Sequence, residues 1–229
     1  MMGGTKTRTR RRVGLACAAL ALGLAFAAGD AGAGIFRDVM EKMGLSKSEP
    51  PKTDAGGTPV FPRQGFTCCN LHYDGDTITD TNYAELPLLP AGTAVTVMGY
   101  SKNRATLDVD GKQMKLDHDE GRADESLDHW VTKLIIDTDP KPKLAAYPPL
   151  TQAAIKAGKV VLGMTREQAL LAVGYPVTKT TKTLDAPVWR LWNSRRGEYQ
   201  LNFGPDGTVV TITGDGEVTS QVIYLPPRK

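Results

Sequence analysis

"GMTREQALLAVGYP", residues 163–176, decides how the C-terminal third of the chain folds. Thr165 followed three residues later by Gln168 is a capping box. Ala169, Leu170 and Val173 recur at helical spacing, Gly174 stands where a helix-ending glycine belongs, and Pro176 prevents continuation. The stretch predicts a helix of about two turns, bounded at both ends. Just upstream, "TQAAIKAG" (151–158) predicts a short helix stopped by Gly158. Three strands are expected downstream: "PVWRLW", "EYQLNF" and "TVVTITG", with Pro205-Asp206-Gly207 turning between the last two. "QVIYL" (221–225) is expected to add an edge strand. Two helices followed by three strands predict an α+β unit over 151–229, its helices on one face of a three-stranded antiparallel sheet.

Working toward the N-terminus, "DPKPKLAAYPPL" (139–150) reads as a linker and 65–138 as a small, mostly β domain. "GTAVTVMGY" puts Val95 and Val97 on one strand face. "ATLDVDGKQMKLD" alternates through Leu107 and Val109, turns at Asp110-Gly111 and returns with Met114 and Leu116. Asp-Gly between alternating apolar residues is a strong hairpin signal. "SLDHWVTKLII" reads as a helical turn capped by Ser126 that runs into a strand. In strand spacing this half is similar to bacterial SH3 domains.

Residues 34–64 combine a short amphipathic helix ("GIFRDVMEKMGL") with a Pro/Gly-rich linker. Residues 1–33 carry Lys6, Arg8 and Arg10–Arg12, an apolar run from Val13 to Ala28, and A-x-A sites, the order of a secretory signal peptide. Its apolar run is short for a membrane span, and no later segment is apolar enough to cross a bilayer. Export to the periplasm, with possible outer-membrane association, is the expected localisation. Cys17 lacks the aliphatic residue expected at the first position of a lipidation signal, so it is not read as an anchor.

Charge sharpens this division. The chain holds 28 Lys+Arg and 25 Asp+Glu. Five of the bases and one acid lie in 1–33, which leaves 23 − 24 = −1. The overall basicity therefore sits in the leader and does not indicate nucleic acid. Residues 65–140 hold 14 acids against 6 bases, or −8, whereas 151–229 hold 6 against 10, or +4. The acid-rich "DHDEGRADESLD" (117–128) departs from a calcium loop in its glycine position and in ending on Asp128, and reads as a solvated loop.

Gly163-Met164-Thr165, Val173-Gly174-x-Pro176, the strand with Trp189 and Trp192, the Tyr199–Phe203 strand and the Asp206-Gly207 hairpin together resemble the SmpA/OmlA domain, the BamE-like domain of outer-membrane lipoproteins. The likeness covers the C-terminal third. It implies a non-catalytic module that contacts envelope proteins and anionic phospholipid as an accessory to outer-membrane protein assembly or envelope integrity. Such domains are commonly lipid-anchored and lack the additional β domain, two points on which this chain departs.

Two groups of residues carry candidate sites. Trp189, Arg190, Trp192, Arg195 and Arg196 suit a partner or lipid surface, since arginine forks match phosphate and Trp and Arg are enriched at interfaces. Strand alternation puts Trp189 and Trp192 on opposite faces, so a sheet buried on one side cannot bury both. The second group is "FTCCNLHYDGD" (66–76), where Cys68, Cys69 and His72 offer an alternative thiol-based metal or redox function. Read as a strand, it puts Cys69, Leu71 and Tyr73 on an apolar face and Cys68, Asn70 and His72 on a polar one. A bond between neighbouring cysteines must span Cα atoms closer than disulfides usually do, about 3.8 Å against about 4.4–6.8 Å. Bonded sulfurs, or convergence of Cys68 with His72, would favour that alternative. With only His72, His118 and His129 as histidines and none of the common nucleophile or metal-protease motifs, no enzyme and no cofactor is expected.

Overall fold

A computed structural model of the protein describes residues 60–119 and 123–227. The expected signal peptide, Cys17, the 34–45 helix and nearly all of the following linker lie outside the described residues.

The fold is mixed α+β, and its first half is one curled eight-stranded sheet. Its strands are β1 (Arg63–Thr67), β2 (Leu71–Asp74), β3 (Thr77–Thr79), β4 (Leu88–Leu89), β5 (Ala94–Ser101), β6 (Arg104–Val109), β7 (Lys112–Asp117) and β8 (Ile135–Ile136), with α1 (Leu127–Leu134) leading into β8. The order across the sheet is β4-β2-β3-β7-β6-β5-β1-β8, antiparallel except for β3 beside β7. The β6–β7 hairpin turns where expected: Asp110 and Gly111 both take positive φ, as the two centre residues of a tight hairpin turn require. Val95, Val97, Leu107, Met114 and Leu116 face the core. Ser126 caps α1 through its side chain, and that helix runs directly into β8 as the sequence indicates.

The second half contains α2 (Lys141–Ala145), α3 (Pro149–Lys156), α4 (Arg166–Val173), β9 (Val188–Trp192), β10 (Glu198–Phe203), β11 (Val209–Gly214) and α5 (Gly216–Val222). The three strands form an antiparallel sheet in the order β11-β10-β9. The capping box of α4 is closed from both sides: Thr165 Oγ1 accepts from Gln168 N–H at 3.3 Å, and Gln168 Oε1 accepts from Thr165 N–H at 3.0 Å.

Three expectations are corrected. Residues 139–150, expected as a linker without regular structure, carry α2 and the start of α3. Residues 221–225 do not form an edge strand, because Asp215 caps α5 by accepting from Glu217 N–H. Only Ile223 pairs, in an isolated parallel bridge to Val160. Residues 66–76 are not one strand: β1 stops at Thr67, β2 starts at Leu71, and the chain bends at the cysteines. Every residue from Thr67 to His72 is buried, so no polar face emerges.

The burial of α4 explains that last correction. All five residues from Ala169 to Val173 are in the core, where spacing suggested one apolar face. The first half covers the remaining side. A helix leaves its last four carbonyls without intrahelical donors. Here Leu170 O accepts from Gly174 N–H at 2.8 Å and Leu171 O from Asn70 N–H at 3.0 Å. Ala172 O accepts from Asn70 Nδ2 at 2.9 Å, and Val173 O from Asn82 Nδ2 at 2.9 Å. Three of the four terminal carbonyls are thus satisfied by residues from the other half. Gly174 itself has a φ of 76°, and a Cβ there would meet the Asn82 amide. Buried side chains of both halves form one continuous core.

Candidate binding cleft between the halves

Between the two sheets lies an open cleft of about 740 Å³, a size typical of ligand sites. Its first wall comes from the end of β3, the following turn, and the β6 and β7 ends, with Thr79, Asp80, Tyr83, Asn103, Asp117, His118 and Asp119. Its second wall belongs to the C-terminal half, with Val177, Lys179, Thr180, Trp192 and Arg195.

β9 sorts the sequence-nominated surface residues by side. Trp189 is fully buried, packs against Phe203 at 4.8 Å between ring centroids, and donates Nε1–H to Leu184 O at 3.0 Å. It is therefore a core residue and not part of a partner surface, as the alternation of the strand requires. Trp192 lies on the opposite face, half-buried, and lines the cleft. Arg195 is exposed at the cleft, and Arg196 is exposed but does not line it. Arg190 is exposed and engages Glu198 through Nε and Nη2 at 2.8–3.0 Å. The edge beside Trp192 is closed by the first half: Ala84 N–H donates to Trp192 O and Glu85 N–H to Asn193 O.

The floor of the cleft holds a buried histidine–carboxylate pair that sequence reading missed. His118 Nδ1 lies 2.8 Å from Asp80 Oδ1, and its Nε2 lies 2.7 Å from Glu125 O. A carbonyl can only accept, so Nε2 carries a proton. One further proton must then lie between Nδ1 and Asp80, on the ring or on the carboxyl. Burial pushes the Asp80 carboxyl upward, opposed by hydrogen bonds from Asp119 N–H and His118. The His118 ring also stacks on Trp130 at 5.2 Å. Both ring nitrogens are thus engaged, which suits holding the wall in place rather than accepting a substrate proton.

Behind this floor Glu125 accepts from Lys133 Nζ through one oxygen and lies 2.8 Å from His129 Nδ1 through the other. Burial would raise the Glu125 carboxyl, but the hydrogen bonds and charges of His129 and Lys133 outweigh it and hold the group below its usual range. Burial pulls the Lys133 ammonium downward, opposed by Glu125. Lys133 Nζ also sits 5.0 Å from the centre of the Tyr175 ring, so this ionic group bridges both halves.

The alternative site is built differently from the sequence expectation. Cys68 and Cys69 are bonded to each other and are 1% and 0% exposed. Cys68 N–H donates to Leu134 O at 2.8 Å. His72 Nδ1 donates to Leu86 O at 2.7 Å, and its buried Nε2 has no hydrogen-bond partner. Burial lowers the pKa of His72, opposed by the Leu86 contact, so the ring is favoured in its neutral form. A metal set of Cys68, Cys69 and His72 is not assembled, because bonded sulfurs present no thiolate. Among the described residues no group of three or more His, Cys, Asp or Glu gathers as metal ligands.

Of the residues around the cleft, Trp192 and Arg195 were legible from an aromatic–arginine pattern. Asp80, Tyr83 and Lys179 gave no such signal: each is a single polar residue in a turn or loop, joined to the others only by folding. No protein-family model, curated protein or solved structure matches this chain.

Proposed function

We propose that the protein is a non-catalytic interaction module of the cell envelope, exported by its N-terminal leader, with the cleft between its halves as the binding site. In this reading the C-terminal half is a SmpA/OmlA-like domain and the first half an SH3-like β module. The role is accessory to outer-membrane protein assembly or envelope integrity, with an envelope protein as partner. The observation that carries the reading is Trp192: a large ring held half-exposed on the face of β9 opposite Trp189, beside Arg195, where the other half completes the cleft. No helix among the described residues is long and apolar enough to cross a membrane. The test is in-cell photocrosslinking from a reactive residue placed at Thr180. Crosslinks to an envelope protein that disappear in Trp192→Ala support the reading; their absence, or indifference to Trp192, refutes it.

The bonded sulfurs favour a second reading, redox handling by Cys68 and Cys69. Their burial means that exchange requires the junction to open. Thiol trapping of protein taken from the periplasm decides this: a reduced fraction that changes with envelope redox state supports it, and a bond that stays fully oxidised removes it.

A further inference from the structure

An uncovered strand edge presents backbone N–H and C=O groups with which another strand can pair, and proteins commonly shorten, charge or cover it. The eight-stranded sheet ends on β4 and β8, each only two residues long. In the three-stranded sheet the β9 edge meets the first half through the Ala84 and Glu85 amides. The edge that remains is β11. Its Val209 is engaged, donating to Met164 O and accepting from Gly163 N–H, and the bulge opposite Asn202–Phe203 lies at this covered end. Beyond it, Val210–Gly214 makes no backbone hydrogen bond outside the sheet among the described residues.

The register shows which groups face outward. On β10, Phe203 N–H donates to Pro187 O and Gly197 O accepts from Asn193 N–H, so the odd-numbered residues bond toward β9. Gln200 and Asn202 therefore bond to Thr213 and Thr211, and alternation turns the N–H and C=O of Ile212 away from the sheet. The Ile212 side chain stands opposite buried Leu201, yet is only half-buried because no strand lies beyond β11. Val210 is 50% exposed, and Thr211, Thr213 and Gly214 are exposed as well. From Thr208 to Gly214 there is neither a charged residue nor a proline, the devices that keep an edge from pairing.

We infer that β11 pairs antiparallel with β11 of a second copy of this chain, about a two-fold axis at Ile212. The open stretch runs from the Gly163–Met164 contact to the start of α5, and Ile212 is its middle residue. A two-fold there lets the two Ile212 residues exchange N–H and C=O, and brings their half-buried side chains together as an extension of the core. It also sets Thr211 opposite Thr213 of the other copy, a favourable cross-strand pair. The C-terminal halves are each net basic, with 10 bases against 6 acids, but the uncharged strands meet without like charges between them. The product is one six-stranded sheet with a β9 edge at either end. The pairing uses the edge opposite the cleft, so it does not depend on the cleft being a binding site. A contact this short gives a concentration-dependent dimer rather than an obligate one.

The test is sedimentation velocity of the full chain from about 1 μM to about 500 μM, a range that spans weak association. Monomer should pass into dimer across it. Thr211→Lys with Thr213→Lys places lysines opposite lysines in the pair, and Thr211→Glu with Thr213→Glu places glutamates opposite glutamates. Each double variant alone should raise the dissociation constant at least about tenfold, and an equimolar mixture of the two should recover the dimer. A photoreactive residue at Val210 should crosslink to a second copy in cells. A full chain that stays monomeric, a dimer indifferent to the lysine pair, or a mixture that fails to recover it overturns the inference. So does a crosslink from Val210 to a different protein in place of a second copy, which assigns the edge to that protein.

Discussion

The halves of this protein are joined by two buried polar clasps of different kinds. One is neutral: Asn70 donates to Ile155 O and Ala172 O and accepts from Ala91 N–H, while Asn82 donates to Asn70 O and Val173 O and accepts from His72 N–H. The other is ionic, made by Glu125, Lys133 and His129 under the Tyr175 ring. In the neutral clasp every amide hydrogen bond named has a defined backbone partner, so it fixes how α4 sits against the first sheet. In the ionic clasp, attraction offsets a large desolvation cost, and the result depends on protonation. A neutral, directional clasp sets register; an ionic one adds a junction whose strength the medium can change.

The largest expected effect comes from breaking the neutral clasp. Asn70→Ala strands the Ala172 carbonyl and the Ala91 amide, while Ile155 O keeps Gly158 N–H, and should cost about 4 kcal/mol in urea unfolding, since each buried unsatisfied group costs about 1–3 kcal/mol. Lys133→Met leaves Glu125 buried without its ammonium and should cost about 3 kcal/mol. Adding Glu125→Gln should recover part of that loss, because the uncompensated charge is gone. If the single and double variants prove equally unstable, the clasp is not held by charge.

A smaller effect separates the surroundings of the clasps by pH. Burial lowers the pKa of His72, so below about 6.5 the unfolded chain takes up a proton that the folded chain resists. Stability should therefore fall as pH drops through that value, and His72→Gln should remove this component from urea midpoints collected between pH 7.5 and 5. Glu125, whose pKa is depressed, gives stability that is lost only at lower pH, as acid reaches its folded value. The smallest effect is the control outside both clasps: Trp192→Ala should change unfolding stability by no more than about 0.5 kcal/mol, while abolishing the crosslinks from Thr180. A large loss of stability instead would make Trp192 a packing residue and weaken the binding reading.

Local chemistry written along the chain determined much of the fold. Thr165, Gln168 and Gly174 bound α4 because caps and a positive-φ glycine act within a few residues of one another. Asp110-Gly111 set the β6–β7 hairpin, and strand alternation separated Trp189 from Trp192, for the same reason of short range. Tertiary structure alone decided what long-range contacts control. It buried Leu171 and Ala172, turned Asn70 and Asn82 into donors for the end of a helix 91–102 residues away in sequence, and enclosed Cys68 and Cys69 in the core. It also brought Asp117 and Asp119 across from Trp192 and Arg195. A period of two or 3.6 residues reports which way a side chain points from its own element. It cannot report that Asn70 and Asn82 of the other half reach the carbonyl end of α4, because the residues that meet there lie far apart in the chain.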